Sequence, residues 1–306
     1  MKQCNIVVIG SANIDLVTRV PRSPQPGESL IGRSFATITG GKGANQALAA
    51  ARLGASVHFA GCVGDDAFGA QQRRSLSAGG VDVRYLKLHP SEPTGTAVIL
   101  VADEGQNTIV VTPSANYGLL PEDLTPLRPL IAEADALLLQ LEIPLETVEA
   151  ALDIARSCGT LSILDAGPAQ KLSEHLVAKA DVISPNETEA EAITGVKIST
   201  IDDACTAAER LLEMGAKHAV MKLGLRGALY LGEEEIYAPA FAVRAVDTTA
   251  AGDAFTAALA VVWKQMPLPE ALRFATAAGA LATMTPGAQP SMPKRESVEQ
   301  FLNKQA

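Results

Sequence analysis

Short β-forming runs alternate with helical patterns along most of the chain, and that rhythm restricts the fold more than any other feature of the sequence. Asn5 to Ile9, Val57 to Cys62, Ala136 to Leu141, Leu161 to Asp165, Val182 to Ser184 and Ala219 to Leu223 read as strands. Helices are expected over Asn45 to Leu53, Ala67 to Ala78, Leu145 to Cys158 and Asp202 to Met214. Each is stopped by a glycine (Gly54, Gly79, Gly159, Gly215) where a left-handed cap belongs. Strands joined through helices run parallel and bury both faces, so the expected class is α/β, with a mostly parallel central sheet and helices on both faces. Hydrophobic residues make up 47% of the 306 but aromatics only 4%, so small aliphatic side chains must form the core and let the layers pack closely.

Two segments depart from the rhythm. Residues 16–39 hold Pro21, Pro24, Pro26, Gly27 and Gly32 among short β-like pieces and fit no helix. Residues 94–111 read as a hairpin, with Thr96 to Val101 and Thr108 to Val111 flanking the turn former Asp103-Glu104-Gly105. Together they are expected to form a small projecting β-sheet, either a lid over a site or plain surface decoration. No repeat, low-complexity tract or linker divides the rest, so one domain spanning 1–306 is expected.

A formal charge of −9 argues against nucleic acid or an anionic membrane as a partner, yet leaves small anions open, because a few backbone N–H groups at a helix N-terminus hold phosphate without a basic surface. Cys4, Cys62, Cys158 and Cys205 form no C-x-x-C pair, and His58, His89, His175 and His218 have no metal-ligand spacing. Buried thiols and structural histidines are expected. Met1 and Lys2 lead into an apolar stretch, Ile6 to Ile9, too short for a secretory segment, so a cytoplasmic protein is expected.

Four motifs carry chemistry. Val246 to Asp253 places small residues at the start of an apolar helix, where Gly252 would let a ligand approach the backbone and Asp253 would sit among exposed N–H groups; the alternative is a capping carboxylate. Thr39-Gly40-Gly41-Lys42-Gly43-Ala44-Asn45 is neither a Walker A loop nor a dinucleotide fingerprint, and offers Lys42 and Asn45 as donors unless it is only a tight turn. Asn13 and Asp15 follow the first strand, where open α/β sheets bind ligands, although both residue types also make turns. Asn186 and Glu189, three apart at a helix start, could hold a hydrated Mg²⁺ or simply cap the helix. Glu142 is either a surface carboxylate or a ligand contact.

Taken in this order, Gly40 to Asn45 near the start and Asp247 to Asp253 near the end resemble the two signatures of the PfkB family, the ribokinase-type carbohydrate kinases, and the resemblance covers nearly the whole chain. It implies a ribokinase-like fold, with the projecting sheet as a lid and lid-to-lid pairing into a homodimer. It implies transfer of the γ-phosphate of ATP to the O5 hydroxyl of D-ribose, deoxyribose, a nucleoside or a silent sugar-binding role being the alternatives. Residue by residue, Asn13, Asp15, Gly41, Lys42, Asn45 and Glu142 correspond to sugar contacts, Asp253 to the base, and Ala250, Ala251 and Gly252 to an anion hole. Asn186, Gly252, Thr276 and the run Lys222, Leu223, Gly224, Leu225, Arg226 and Gly227 correspond to the ATP site, and Glu189 to a water-mediated Mg²⁺ contact. Asp247, Thr249, Ala282, Thr285, Gly287 and Ser291 correspond to ligands of an activating K⁺. Three positions depart from the family pattern: Lys222 stands where Thr is frequent, Thr276 where some members have His, and Asp165-Ala166-Gly167-Pro168 where Asn-Pro-Ala-Pro is common.

Overall fold

The computed structural model describes residues 3–104 and 107–305. Met1, Lys2 and the expected turn residue Gly105 lie outside them. The strands are β1 (Asn5–Ile9), β2 (Asn13–Val20), β3 (Ser34–Gly40), β4 (Ser56–Gly64), β5 (Val81–His89), β6 (Gly95–Ala102), β7 (Asn107–Thr112), β8 (Ala136–Leu139), β9 (Leu161–Asp165), β10 (Val182–Ser184), β11 (His218–Lys222), β12 (Ala228–Leu231) and β13 (Glu235–Ala238). The α-helices are α1 (Lys42–Arg52), α2 (Ala67–Ala78), α3 (Arg128–Glu133), α4 (Leu145–Cys158), α5 (Glu174–Val177), α6 (Glu187–Thr194), α7 (Ile201–Glu213), α8 (Ala251–Val262), α9 (Leu268–Ala282), α10 (Ala288–Ser291) and α11 (Arg295–Lys304).

Nine strands form one sheet in the order β13-β12-β11-β10-β9-β8-β1-β4-β5. Neighbours from β5 to β11 run parallel, and β12 and β13 add an antiparallel edge. Alternation along β1 sorts the core into two layers. Ile6 and Val8 pack with α1, α8 and α9, while Val7 and Ile9 pack with α4 and α7 on the other face. In α8 and α9 half of the buried positions are Ala, as at Ala254, Ala257, Ala258, Ala275, Ala277 and Ala278, which lets these two helices lie close to each other.

The two segments without helices supply the second sheet, ordered β3-β2-β6-β7. β6 and β7 pair antiparallel, Ile99 opposite Ile109, as a hairpin requires. β2 begins at Asn13, so this sheet reaches further back along the chain than residue 16.

Several expected boundaries move; β11, for example, ends at Lys222 and leaves Leu223 outside it. β8 stops at Leu139, because the Leu141 N–H donates to the Gly167 carbonyl (2.9 Å) and draws the chain across to the loop after β9. α1 starts at Lys42, three residues before Asn45, which puts Lys42 in its first turn. Gly54, Gly159 and Gly215 adopt positive φ (93°, 70° and 105°), but Gly79 has φ −80° and the following Gly80 takes the left-handed conformation (φ 85°). All four cysteines are free thiols, Cys4 and Cys62 buried and the others half-buried. No helix among the described residues is long and apolar enough to cross a membrane.

Candidate active site

A cavity of about 740 Å³ opens beyond the carboxyl ends of the parallel strands. The chain leaving β1 leads into Asn13, the chain leaving β8 delivers Glu142, β10 leads to Asn186, and Lys222 is the last residue of β11. In an open parallel sheet these ends are where loops converge and helix N-termini point outward, so polar groups from distant parts of the sequence meet there.

One end of the cavity is polar. Asn13, Asp15, Gly41, Lys42, Asn45, Glu142 and Asp253 all line it. Asn13 is buried; its Oδ1 accepts from Asn116 Nδ2 (2.6 Å), which forces its Nδ2 to face Glu142 Oε2 (3.3 Å). The same Glu142 oxygen accepts from Ser11 Oγ and from the Lys42 backbone N–H. The turn alternatives for Asn13 and Asp15 therefore do not hold, since both stand in strand β2. Asp15 has no hydrogen-bond partner for its carboxylate among the described residues, and its pKa is pushed up to about 7 by burial and then by Glu142, Asp253 and Asp247. Glycines make this crowding possible. A side chain at Gly40 would run into the Asp15 carboxylate, and one at Gly41 (φ 89°) would meet the Asn13 backbone nitrogen at 2.6 Å.

Asp253 lies at the centre. It is the third residue of α8, whose N-cap is Ala250 in a left-handed conformation (φ 60°, ψ 12°). The carboxylate does not cap its own helix. Its Oδ2 accepts from Asn45 Nδ2 (2.9 Å) and its Oδ1 from Gln46 Nε2 (3.1 Å), both from α1. Asn45 Oδ1, buried, has no hydrogen-bond partner among the described residues. Burial raises the Asp253 pKa to about 6; Lys42 works against that shift and Asp165 adds to it. Burial also works against charge on Lys42, but Asp165, Asp253, Glu189 and Glu142 outweigh it and hold its pKa above the usual lysine range. A carboxylate of pKa near 6 is mostly ionised at neutral pH and is still basic enough to take a proton from a hydroxyl during reaction. The N–H groups of Gly252 and Asp253 have no partner among the described residues and open into the cavity with the helix dipole behind them.

The other end is apolar, lined by Ala240, Phe241, Val243, Leu225, Gly279 and Ala280. Asn186, Lys222, Gly224, Leu225, Gly227 and Thr276 reach the cavity, but two residues of the expected run do not. Leu223 is buried in the core, and Arg226 turns away to pair with Glu187 (3.2 Å) and to donate to the Ser199 carbonyl. Thr276 uses its hydroxyl hydrogen on the Leu272 carbonyl of its own helix (2.8 Å). Asn186 and Glu189 do form a reciprocal cap, Glu189 N–H to Asn186 Oδ1 (2.9 Å) and Asn186 N–H to Glu189 Oε2 (2.8 Å), yet both still face the cavity. The ammonium groups of Lys42 and Lys222 stand 3.9 Å from the two Glu189 oxygens. With two cations already beside it, this carboxylate fits a Mg²⁺ held through water better than one bound directly.

Beside the start of α8, Asp247 joins two loops. Its Oδ1 accepts from the Thr249 N–H (2.9 Å) and its Oδ2 from the Gly287 N–H (2.8 Å), bonds that keep its pKa low despite partial burial. The Thr283 carbonyl accepts from the N–H groups of Val246 and Asp247, which brings Ala282 and Thr285 next to this corner. Ser291 Oγ donates to the Ala288 carbonyl in its own short helix. No group of three or more His, Cys, Asp or Glu side chains among the described residues is arranged to hold a metal ion, so a cation here would rest mainly on carbonyl oxygens, a donor set suited to a hard monovalent ion.

Sequence reasoning missed the layer beneath. Gln46, Asp165, Asn116 and Gln140 are all fully buried and do not line the cavity, but their hydrogen bonds fix the groups that do. Gln46 and Gln140 had a usable signal: amides next to the apolar runs Ala47 to Ala51 and Ala136 to Leu139.

A sequence model described as the pfkB family carbohydrate kinases matches residues 3–295. The ribokinase of Haemophilus influenzae is 40% identical over 300 residues, which cover 97% of this chain and 98% of that protein. The deoxyribokinase of Salmonella typhi is 35% identical, covering 98% of this chain and 99% of its own. Among solved structures, the Arabidopsis thaliana ribokinase in complex with ribose and ATP superposes with a TM-score of 0.92 at 35% identity, covering 98% of this chain and 99% of that one.

Proposed function

The chain belongs to the pfkB family of carbohydrate kinases, and on that premise we propose that it transfers the γ-phosphate of ATP to the O5 hydroxyl of D-ribose, with Asp253 as general base. The observation that carries this reading is the position of Asp253. Its carboxylate sits where the polar end of the cavity meets two N–H groups at the start of α8 that have no partner among the described residues.

The sugar lies among Asn13, Asp15, Asn45 and Glu142, with the Gly41 backbone and Lys42 closing one side. Asp15 and Glu142 accept from sugar hydroxyls, and Asn13 Nδ2 donates to one. The reacting hydroxyl rests against Asp253, which removes its proton as it attacks the γ-phosphorus in line. The N–H groups of Gly252 and Asp253, in the turn set by Ala250 and Ala251, receive the charge on the phosphoryl oxygens as an anion hole. Adenine occupies the apolar end between Leu225 and Phe241, and Asn186 and Lys222 face the phosphates. Mg²⁺, when bound, offsets phosphate charge, and Glu189 orders its water shell. Asp247, the Gly287 region and the end of α9 would hold K⁺, and the Asp247 bonds to the Thr249 and Gly287 N–H groups tie the turn before α8 to that corner.

The β2-β3-β6-β7 sheet serves as the lid, because Ala97, Ile99, Ile109 and Val111 form one wall of the cavity. Closing it excludes water and limits wasteful hydrolysis of ATP. Phe35, Val98 and Val110 are exposed on the same sheet, 63%, 42% and 60%, an apolar surface that lid-to-lid pairing in a homodimer would cover. A supply of ATP makes the cytoplasm its compartment. Deoxyribose is the second reading, favoured by the Salmonella relative. An ADP-release assay over ribose, 2-deoxyribose and nucleosides tests the assignment; ribose giving the highest kcat/KM supports it, and a nucleoside doing so refutes it.

A further inference from the structure

We propose that Lys222 and Asp165 act as one buried ion pair that presents a positive charge to the anion hole, and that the Gln46 amide ties this pair to the Asp253 carboxylate. The proposal rests on the kinase reading above. Lys222 Nζ stands 3.0 Å from Asp165 Oδ1, with side-chain exposures of 10% and 0%. Nothing in local sequence brings them together. They end strands β11 and β9, with β10 between, and the lysine reaches across it.

An ammonium has three donors, and among the described residues only Asp165 lies within hydrogen-bond reach of this one; Glu189 is too far at 3.9 Å. The remaining donors face the cavity next to Gly252, where a β-carbon would lie 3.7 Å from Lys222 Nζ. A charge so placed acts on phosphoryl oxygens in a largely water-free site, where it counts for more than in solvent.

Asp165 is held as an anion by more than the lysine. Gly167 N–H donates to its Oδ1 (3.2 Å), and Gln46 Nε2 (2.9 Å) and Thr256 Oγ1 (3.2 Å) donate to its Oδ2. The second hydrogen of the same Gln46 amide goes to Asp253 Oδ1 (3.1 Å), and Gln46 Oε1 accepts from Gln140 Nε2 (2.7 Å), so the amide cannot flip without losing all three bonds. Lys222 is thereby connected to the base through Asp165 and Gln46. The other charges around Asp253 are Lys42 of α1, Asp15 of β2 and Glu142 after β8, while the only charged residues of α9, Glu270 and Arg273, are exposed. Lys222 would touch the transferred group. Asp165 and Gln46 are positioning residues.

A double-mutant cycle with pH profiles tests the pair. Lys222→Met should lower kcat about 10²-fold and move the acidic limb of kcat/KM to higher pH, because Asp165 is left less compensated beside Asp253. Asp165→Asn should lower kcat about tenfold and move that limb to lower pH, because an anion that favours the proton on Asp253 is gone. The double variant should be no worse than Lys222→Met, with the limb back near its original position. Losses that multiply to about 10³-fold, with all limbs coinciding, would overturn the proposal. Should Asp165→Asn not fold, the comparison of Lys222→Met with the double variant decides, and a double variant tenfold less active than Lys222→Met refutes the coupling. Asp253→Asn, run alongside, separates the premises: retained turnover there sinks the base assignment, whereas its loss together with a multiplicative cycle sinks only the ion pair.

Discussion

Gly252→Ala separates a glycine that serves a ligand from one that serves the fold. At Gly40, Gly41 and Gly43 an added β-carbon would come within 2.7 Å of other protein atoms, so substitution there damages structure first. At Gly252 its nearest neighbours would be Lys222 Nζ, Cε and Cδ at 3.7 to 3.9 Å, which is ordinary contact. The residue is the second of α8, where Ala is the better helix former by up to about 1 kcal/mol, and in a chain of this size that raises Tm by roughly 2 °C. Activity should move the other way. The methyl group would stand where a phosphoryl oxygen approaches the Gly252 and Asp253 N–H groups, and a displacement of about 1 Å or the loss of one such donor costs roughly 10²-fold in kcat. Thermal melts and ADP release on the same preparation check both halves. Turnover within threefold of the unsubstituted protein would refute the anion hole. A Tm lower by several degrees would mean that the glycine is needed by the fold.

The remaining predictions concern the base, the cation and the sugar. Asp253→Asn should lower kcat about 10²-fold or more with sugar affinity retained, measured by initial rates and by direct binding of ribose. Because the base acts deprotonated and its pKa is raised to about 6, kcat/KM should fall by at least about tenfold per unit below pH 6; a profile flat to pH 5 would contradict that assignment. Rates should be higher in K⁺ than in K⁺-free buffer of equal ionic strength, since an ion among the carbonyls near Asp247 would order the turn before α8. Ribose should exceed 2-deoxyribose in kcat/KM by roughly tenfold, the cost of leaving a buried polar group unpaired, and Asn13→Met should narrow that ratio. An unchanged ratio in the variant removes Asn13 from hydroxyl recognition.

Periodicity and punctuation in the sequence determined the layered α/β architecture, since a period of two or 3.6 and a glycine at a helix end act over a few neighbours and need no distant partner. The second sheet was legible for the same reason, from prolines and a hairpin pattern. Gly252 and Asp253 were legible as a helix start, and Lys42 and Asn45 as the residues after a glycine turn, because each motif is contiguous. What α1 and α8 do to one another was not. Asn45 and Gln46 lie more than 200 residues before Asp253, at separations of 208 and 207, and only the packing of α1 on α8 brings their amides to that carboxylate and rules out its acting as a cap. Two departures from the family pattern, Lys222 and Asp165, looked unrelated in the linear chain; the order of β9, β10 and β11 makes them a single contact at 3.0 Å. Burial completed the chemistry, for the raised pKa values of Asp15 and Asp253 come first from the removal of water, which no local run of residues encodes.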